Sequence, residues 1–164
     1  MKKFYHTSLD ENKTIEFKNI LTNSIESSSF LKINTDNKGG EYKPTLVDPI
    51  RDDLKSITTY CADKVKSLVG VDSDLTLKSM WAVYGQKNCF HPMHNHVEVT
   101  KSNLVSILYL DAMGLTSLYY IVNGKRRYFY PKTGDLVVFP VDTYHGTVIQ
   151  KEETRITLNM DWVI

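Results

Sequence analysis

Cysteine is scarce in this chain of 164 residues, and long apolar runs are missing. Two cysteines, Cys61 and Cys89, are too few for a disulfide framework or a zinc cluster, and they indicate ordinary thiols in a reducing compartment. No apolar stretch approaches the roughly 20 residues that a membrane-spanning helix needs. The sequence turns polar directly after residues 1–3, which argues against a signal peptide. We therefore expect a cytoplasmic protein with no membrane partner.

An excess of charge of either sign is also missing, since 20 basic residues balance 19 acidic ones. Nucleic acid is therefore not indicated as a partner by net charge, although residues 125–127 (KRR) could form a local basic patch. Ten tyrosines, six phenylalanines and two tryptophans indicate a packed globular protein. The length fits one domain, residues 1–164.

Apolar residues at spacings of three and four predict one amphipathic helix, which begins at Asp48-Pro49 and ends at Gly70. From residue 75 onwards, short β-rich runs alternate with turn signals, which is typical of a sandwich or barrel. We predict an α+β, mainly β fold, in which residues 1–74 form a helical, supporting part and residues 75–164 a jelly-roll core. The predicted strands are residues 75–84, 104–110, 118–122, 127–130, 136–139, 147–150 and 155–162.

Three of the five histidines fall within residues 91–96, HPMHNH. If this segment is extended, His94, His96 and Glu98 point to one side, so that their donor atoms converge. His145 follows a predicted strand and is the third candidate ligand. Imidazole and carboxylate ligands suit Fe(II), Mn(II), Zn(II) or Ni(II), and two histidines with one carboxylate leave coordination positions open. The alternative is that these are surface or hydrogen-bonded histidines.

Polar and apolar residues alternate along the last predicted strand. Arg155, Thr157 and Asn159 share one face, and the residues between them share the other. A solvated sheet edge would explain this pattern without any function. A guanidinium inside a barrel mouth would instead need an anionic partner, and its planar donors match a carboxylate in a bidentate pair.

Several motifs in order resemble the 2-oxoglutarate/Fe(II) oxygenase superfamily, in particular its compact bacterial and phage-type members. They are a tryptophan-containing strand (79–85, SMWAVYG), the histidine-rich segment, a strand (104–110, LVSILYL), a P-x-x-G-D run (131–140, PKTGDLVVFP), His145, and a closing R-x-S/T strand (155–157, RIT). The resemblance covers about half of the chain. It implies a double-stranded β-helix with flanking N-terminal helices.

The resemblance also implies a function and a site. Iron would be held by the histidine-rich segment and His145, with no catalytic residue beyond the metal ligands. The cosubstrate 2-oxoglutarate would bind Arg155 and Thr157, and O2 would complete an oxidation that usually ends in hydroxylation of a primary substrate.

The first ligand pair departs from the superfamily pattern, which is usually His-x-Asp or His-x-Glu. The chain offers His94-Asn95-His96 and also His96-Val97-Glu98. We favour His94, His96 and His145 as the triad, with Glu98 as the rival ligand. A site of three histidines would cast doubt on ordinary oxygenase chemistry.

Other aromatic and histidine residues have simpler predicted roles. We expect His91 to be a turn residue and His6 to be solvated. Trp81 is predicted to lie in the core and Tyr84 to form a pocket wall. Tyr109 is predicted to lie in the core, with contact to the cosubstrate as the alternative.

Two other functional classes compete with the oxygenase. A cupin-type metal-binding protein or isomerase would share the fold and the clustered histidines, but it would not need Arg155 for 2-oxoglutarate. A non-enzymatic β-sandwich binding module would hold no tight metal. The oligomeric state is left open, with a dimer as one alternative.

Overall fold

Two helices and ten strands make up the described part of the chain. The computed structural model describes residues 4–27, 40–42, 45–47, 52–97 and 102–164. The helices are α1 (Glu11–Glu26) and α2 (Lys55–Val69). The strands are β1 (Tyr5–Ser8), β2 (Thr45–Val47), β3 (Thr76–Gln86), β4 (His91–His94), β5 (Leu104–Asp111), β6 (Leu118–Val122), β7 (Lys125–Phe129), β8 (Asp135–Pro140), β9 (His145–Thr147) and β10 (Thr154–Val163).

The strands form two antiparallel sheets. The larger sheet has six strands in the order β1-β8-β5-β10-β3-β2, and the smaller sheet has four in the order β4-β9-β6-β7. β10 is central, because it pairs with β3 on one side and β5 on the other. Side chains on β10 therefore project from a strand that is hydrogen-bonded along both edges, which fixes their positions.

Both helices cover the outer face of the larger sheet. α1 begins at Asp10, whose carboxylate accepts a hydrogen bond of 2.8 Å from the Lys13 N–H and so caps the helix. α2 ends at Gly70, whose φ of +72° is the left-handed conformation that glycine adopts readily. Each helix places one apolar stripe on the sheet, which leaves the opposite face of the sheet free to form a site.

Most of the core lies in two layers, and a smaller cluster is formed by Tyr42, Val83 and Cys89. The layer between the helices and the larger sheet includes Phe17, Leu21, Leu54, Ile57, Cys61, Val65, Met80, Leu158 and Trp162. The layer between the two sheets includes Val105, Ile107, Tyr109, Leu118, Val137 and Phe139. Each fully buried large apolar side chain contributes roughly 1.5–3 kcal/mol. The inter-sheet layer is interrupted by polar residues at one end, and these residues form the site.

Most of the predicted strands are confirmed within two residues, and one prediction is wrong. The strand predicted at residues 147–150 lies earlier, at β9, because β9 pairs with β4 through His94 and His145. After Thr147 the chain leaves the ladder, and the Gln150 N–H donates a 2.7 Å hydrogen bond to the Cys89 carbonyl.

The N-terminal part contributes more to the sheet than the sequence suggested. β1 pairs with β8 and covers that edge of the larger sheet, and β2 pairs with β3 at the other edge. The predicted helix start at Asp48-Pro49 lies outside the described residues, and a 3-10 turn at Asp52–Leu54 precedes α2. No helix in the described ranges is long and apolar enough to cross a membrane.

Candidate metal centre

Three histidine side chains converge between the two sheets. His94 ends β4, His96 lies in the bend that follows, and His145 begins β9 opposite His94 in the β4–β9 ladder. One ligand atom from each lies within 4.8 Å of the others, and the Nε2 atoms of His94 and His96 are 3.2 Å apart. His96 and His145 are buried, and His94 is partly buried. Donor atoms this close together can share one metal ion.

The second ring nitrogen of each histidine has its own partner. The Nδ1 atoms of His94 and His145 lie 2.9 Å from the carbonyl oxygens of Pro92 and Thr143, and the Nδ1 atom of His96 lies 2.9 Å from Asp161 Oδ1. A carbonyl or carboxylate oxygen accepts, so each Nδ1 carries the proton. The Nε2 atom of each ring then carries the lone pair, which is the usual arrangement of metal-binding histidines.

Burial favours the neutral form of His94 and His145. It lowers the pKa of His145 well below 6.5 and that of His94 below 6.5, and neighbouring histidines add to both shifts. The pKa of His91, beside the cluster, is lowered to about 3 by burial and then by His94 and His96. Metal binding requires unprotonated imidazole, so the lowered pKa values of His94 and His145 favour metal binding by these two rings.

We expect the metal-free protein to lose stability as the pH falls below about 6.5. His91 in the unfolded chain takes up a proton near pH 6.5, whereas the folded protein does not until about pH 3. The unfolded state therefore binds more protons over this pH window. Each such histidine then lowers the free energy of unfolding by about 1.4 kcal/mol for each unit by which the pH falls. Urea unfolding at about pH 7.5 and 5.5 measures the difference. His91→Ala should reduce this pH dependence, because His94 and His145 still contribute. Equal stability of the wild-type protein at both pH values would contradict the prediction.

A buried guanidinium lies in the same pocket as the histidines. Arg155 is only 3% exposed, and its guanidinium carbon lies 5.0 Å from the centre of the Tyr109 ring. Its Nε and Nη1 atoms are buried without a hydrogen-bond partner among the described residues. Buried polar groups are rarely left unpaired, because the desolvation cost of a charged donor is large. The pocket is therefore suited to an anion that pairs with Arg155.

Two residues beside Arg155 extend this polar surface. Asn159 Nδ2 donates a 3.1 Å hydrogen bond to Thr157 Oγ1, so the Thr157 hydroxyl has its proton free to donate. Both side chains are less than a tenth exposed and line the pocket. Gly85 pairs with Arg155 across the β3–β10 ladder, where a Cβ would lie 2.7 Å from the Tyr42 ring. The absence of a side chain there lets the Tyr42 ring and the Gln150 side chain pack closely against β3.

Tyrosine hydroxyls close the arginine end of the pocket. Tyr42 donates a 2.6 Å hydrogen bond to Gln150 Oε1, and burial raises the pKa of Tyr42 to about 12. Burial also raises the pKa of Tyr109, and the Arg155 guanidinium opposes that shift. Both phenols therefore stay neutral, and they add no negative charge that would repel an anion.

The donor sets fit a divalent metal and a carboxylate. Three imidazoles are suitable ligands for Fe(II) and its neighbours in the transition series. The guanidinium of Arg155 and the hydroxyl of Thr157 are donors that match one end of a dicarboxylate. One pocket between the sheets contains both groups.

The predicted site residues fall where the sequence pattern put them, with one exception. His94, His96 and His145 form the cluster, and Arg155 and Thr157 share the pocket face of β10. The rival ligand Glu98 lies outside the described residues. The roles of the three histidines as metal ligands, and of Arg155 and Thr157 as cosubstrate ligands, stay predictions.

Three predictions about neighbouring residues are wrong. His91 is not in a turn but in β4, where it pairs with Thr147 and its ring centre lies 4.2 Å from that of His94. Trp81 and Tyr84 have exchanged roles: Trp81 lines the pocket, and Tyr84 packs against the helix-side core. The register explains this exchange, because Trp81 pairs with Asn159 on the pocket face and Tyr84 with Ile156 on the other.

His6 is exposed, with its Nε2 atom 3.1 Å from Asp135 Oδ1.

Sequence reasoning missed Asp161 and Tyr42. The alternation that begins at Arg155 predicts Asp161 if it is extended two residues beyond Asn159. No sequence signal marks Tyr42, since it reaches the pocket from outside the strands.

Comparison with protein-family models and with curated proteins finds no match for this chain. Solved structures do match. A prolyl-4-hydroxylase from Pseudomonas putida has a TM-score of 0.71 and 13% identity, and the match covers 99% of this chain and 93% of that one. HygX from Streptomyces hygroscopicus, solved with nickel and 2-oxoglutarate bound, has a TM-score of 0.75 and 10% identity over 99% and 82% of the two chains.

A 2OG-Fe(II) oxygenase family oxidoreductase from Burkholderia pseudomallei matches at a TM-score of 0.63 and 12% identity. That match covers 74% of this chain and 65% of that one. The three likenesses show the fold of this chain, which is the double-stranded β-helix, or jelly roll, of these proteins. They confirm the prediction of a mainly β domain with flanking helices.

Proposed function

We propose that this chain is a non-haem Fe(II)- and 2-oxoglutarate-dependent oxygenase that hydroxylates a primary substrate. The observation that carries the proposal is the buried Arg155 guanidinium in the same pocket as three converging imidazoles, with two nitrogens that have no hydrogen-bond partner in the described part of the chain. A metal-binding protein without 2-oxoglutarate would have no need for buried guanidinium nitrogens that lack a hydrogen-bond partner, and such nitrogens are costly.

His94, His96 and His145 would hold the iron through their Nε2 atoms. Their Nδ1 contacts fix both the tautomer and the orientation of each ring. Because the cluster lies on β4, the following bend and β9, its geometry depends on the pairing of β4 with β9. The protein thus fixes the position of the donors before any ion binds.

Arg155 and Thr157 would bind the far carboxylate of 2-oxoglutarate. The planar guanidinium can donate two parallel hydrogen bonds, and the Thr157 hydroxyl can add a third. Asn159 holds the Thr157 hydroxyl, and Tyr109 packs beside the guanidinium. Anchoring this end would direct the other end of the cosubstrate toward the histidines.

When bound, iron with 2-oxoglutarate and O2 supplies an oxidation in which one oxygen atom ends in succinate and the other in the hydroxylated substrate, with release of CO2. The chain's own residues would bind and orient the metal and the cosubstrate, and they would exclude water from the site. Ile107, Val83 and Leu118 line the apolar side of the pocket, which limits water beside the reacting groups. The low pKa values of His94 and His145 keep both rings available as neutral donors.

Titration of the Fe(II)-loaded protein with 2-oxoglutarate in the absence of oxygen tests the proposal. Chelation should produce a visible charge-transfer band that saturates, and admission of O2 should then release succinate. Protein that holds iron yet never binds 2-oxoglutarate would contradict the oxygenase and indicate a cupin-type metal protein. Protein that holds no metal would contradict both and favour a binding module.

A further inference from the structure

A buried carboxylate stands directly behind one of the three histidines. Asp161 lies near the end of β10 and is fully buried. Its Oδ1 atom is 2.9 Å from His96 Nδ1, and its Oδ2 atom accepts a 3.2 Å hydrogen bond from Ser79 Oγ. His96 is the histidine that departs from the usual carboxylate ligand of the oxygenase pattern.

The strand geometry aims Asp161 at the histidine cluster. Alternation along β10 places it on the pocket face, in series with Arg155, Thr157 and Asn159. The pairing with β3 shifts register between Asp161 and Trp162, so that one extra residue of β3 is accommodated there. Such bulges bend a strand locally and redirect a side chain.

Among the described residues, the salt-bridge partner of Asp161 within 4.0 Å is His96, and no lysine or arginine nitrogen lies within that distance. Burying a carboxylate without a compensating charge is costly. A divalent ion held on the far side of His96 would supply the missing positive charge.

The other two histidines differ in this respect. Their Nδ1 atoms face the backbone carbonyls of Pro92 and Thr143, which carry no net charge. Three neutral imidazoles alone would leave a bound dication with a charge of +2. With Asp161 behind His96 the sum is +1, the same as for two histidines and a carboxylate ligand.

We propose that Asp161 supplies, through His96, the negative charge that a carboxylate ligand would otherwise bring to the metal. Asp161 is thus a positioning residue that acts on the ion through the His96 ring and makes that ring a stronger donor. This inference rests on the proposed metal site. It resolves the conflict between a three-histidine site and the charge of an ordinary oxygenase centre.

Titration with Co(II) alone tests this role without reference to turnover. Asp161→Asn keeps an oxygen that can accept from His96 Nδ1–H, so that it removes the charge while it preserves the tautomer. We expect it to weaken Co(II) binding by about 10- to 100-fold. Ser79→Ala is the matched control, because it removes the other hydrogen bond of Asp161 and leaves the charge in place. It should bind Co(II) almost as wild type does.

Thermal unfolding provides a readout that a merely structural role would not produce. Without metal, Asp161→Asn should be as stable as wild type or more stable, because a buried unpaired charge has been removed. With Co(II), its melting temperature should rise less than that of wild type, because ligand stabilisation follows affinity. A purely structural residue would instead lower the melting temperature of the metal-free protein.

Several results would overturn the inference. If Asp161→Asn binds Co(II) as tightly as wild type, the charge of Asp161 does not act on the metal. If Ser79→Ala loses as much Co(II) affinity as Asp161→Asn, the loss does not come from the charge. In a His96→Ala background, Asp161→Asn should add no further loss of affinity, since its effect passes through the ring. If Glu98→Gln abolishes binding and Asp161→Asn does not, Glu98 supplies the charge instead. Wild type that binds no Co(II) contradicts the metal site itself.

Discussion

Arg155→Ala should lose 2-oxoglutarate binding while keeping its iron. The guanidinium is 3% exposed, and its contact with a carboxylate would be charge-assisted and shielded from water. Removing such a contact costs ~2–5 kcal/mol, and at ~1.4 kcal/mol per decade this is a loss of more than tenfold in affinity. Arg155→Lys should recover only part, since a point charge cannot reproduce two parallel hydrogen bonds. Anaerobic titration of the Fe(II) protein measures each affinity.

Arg126→Ala is the matched control for the loss of a cation. Arg126 is exposed on β7, where its guanidinium carbon lies 4.5 Å from the centre of the Tyr119 ring, and it does not line the pocket. It should bind 2-oxoglutarate as wild type does. If Arg155→Ala retains full affinity, the anchor lies elsewhere in the pocket.

His145→Ala should lose tight Fe(II) binding while the fold persists. The substitution removes one of three converging donors, and His145 is the donor that β9 contributes to the cluster. Two remaining imidazoles hold a divalent ion far more weakly than three. Metal analysis of protein purified without oxygen measures the iron content, and circular dichroism of the metal-free variant checks the fold.

His6→Ala is the control for the loss of a histidine outside the cluster. Its Nε2 atom contacts Asp135, and it should keep a full complement of iron. Full iron occupancy in His145→Ala would exclude the proposed triad. Separate His96→Ala and Glu98→Gln variants choose between the ligand sets, because loss of iron in both favours His96 with Glu98.

The sequence alone indicated the fold class and most of the strands. Period-two alternation from Arg155 and turn signals such as Asn123-Gly124 are local features, so they are visible before folding. Gly70 marked the end of α2 for the same reason, since a left-handed residue there is a local requirement. The resemblance in motif order added the expected fold, and the comparisons confirmed it.

Local pattern could not decide which face of β3 is functional. Trp81 and Tyr84 are both large aromatic residues on one strand, and their spacing places them on opposite faces without saying which face is which. Pairing with β10 decides this, because Trp81 then shares a face with Asn159. His91 was misassigned for a similar reason, since its place in β4 depends on pairing with Thr147, 56 residues away.

The residue types at the site were thus determined by the sequence: a histidine-rich segment, a distant histidine, and an arginine on an alternating strand. Their convergence was decided by tertiary structure alone. His94 meets His145 only because β4 and β9 pair, and Asp161 reaches His96 only because β10 runs through the centre of the larger sheet. Contacts between residues so far apart in sequence depend on strand order and register, which no local pattern encodes.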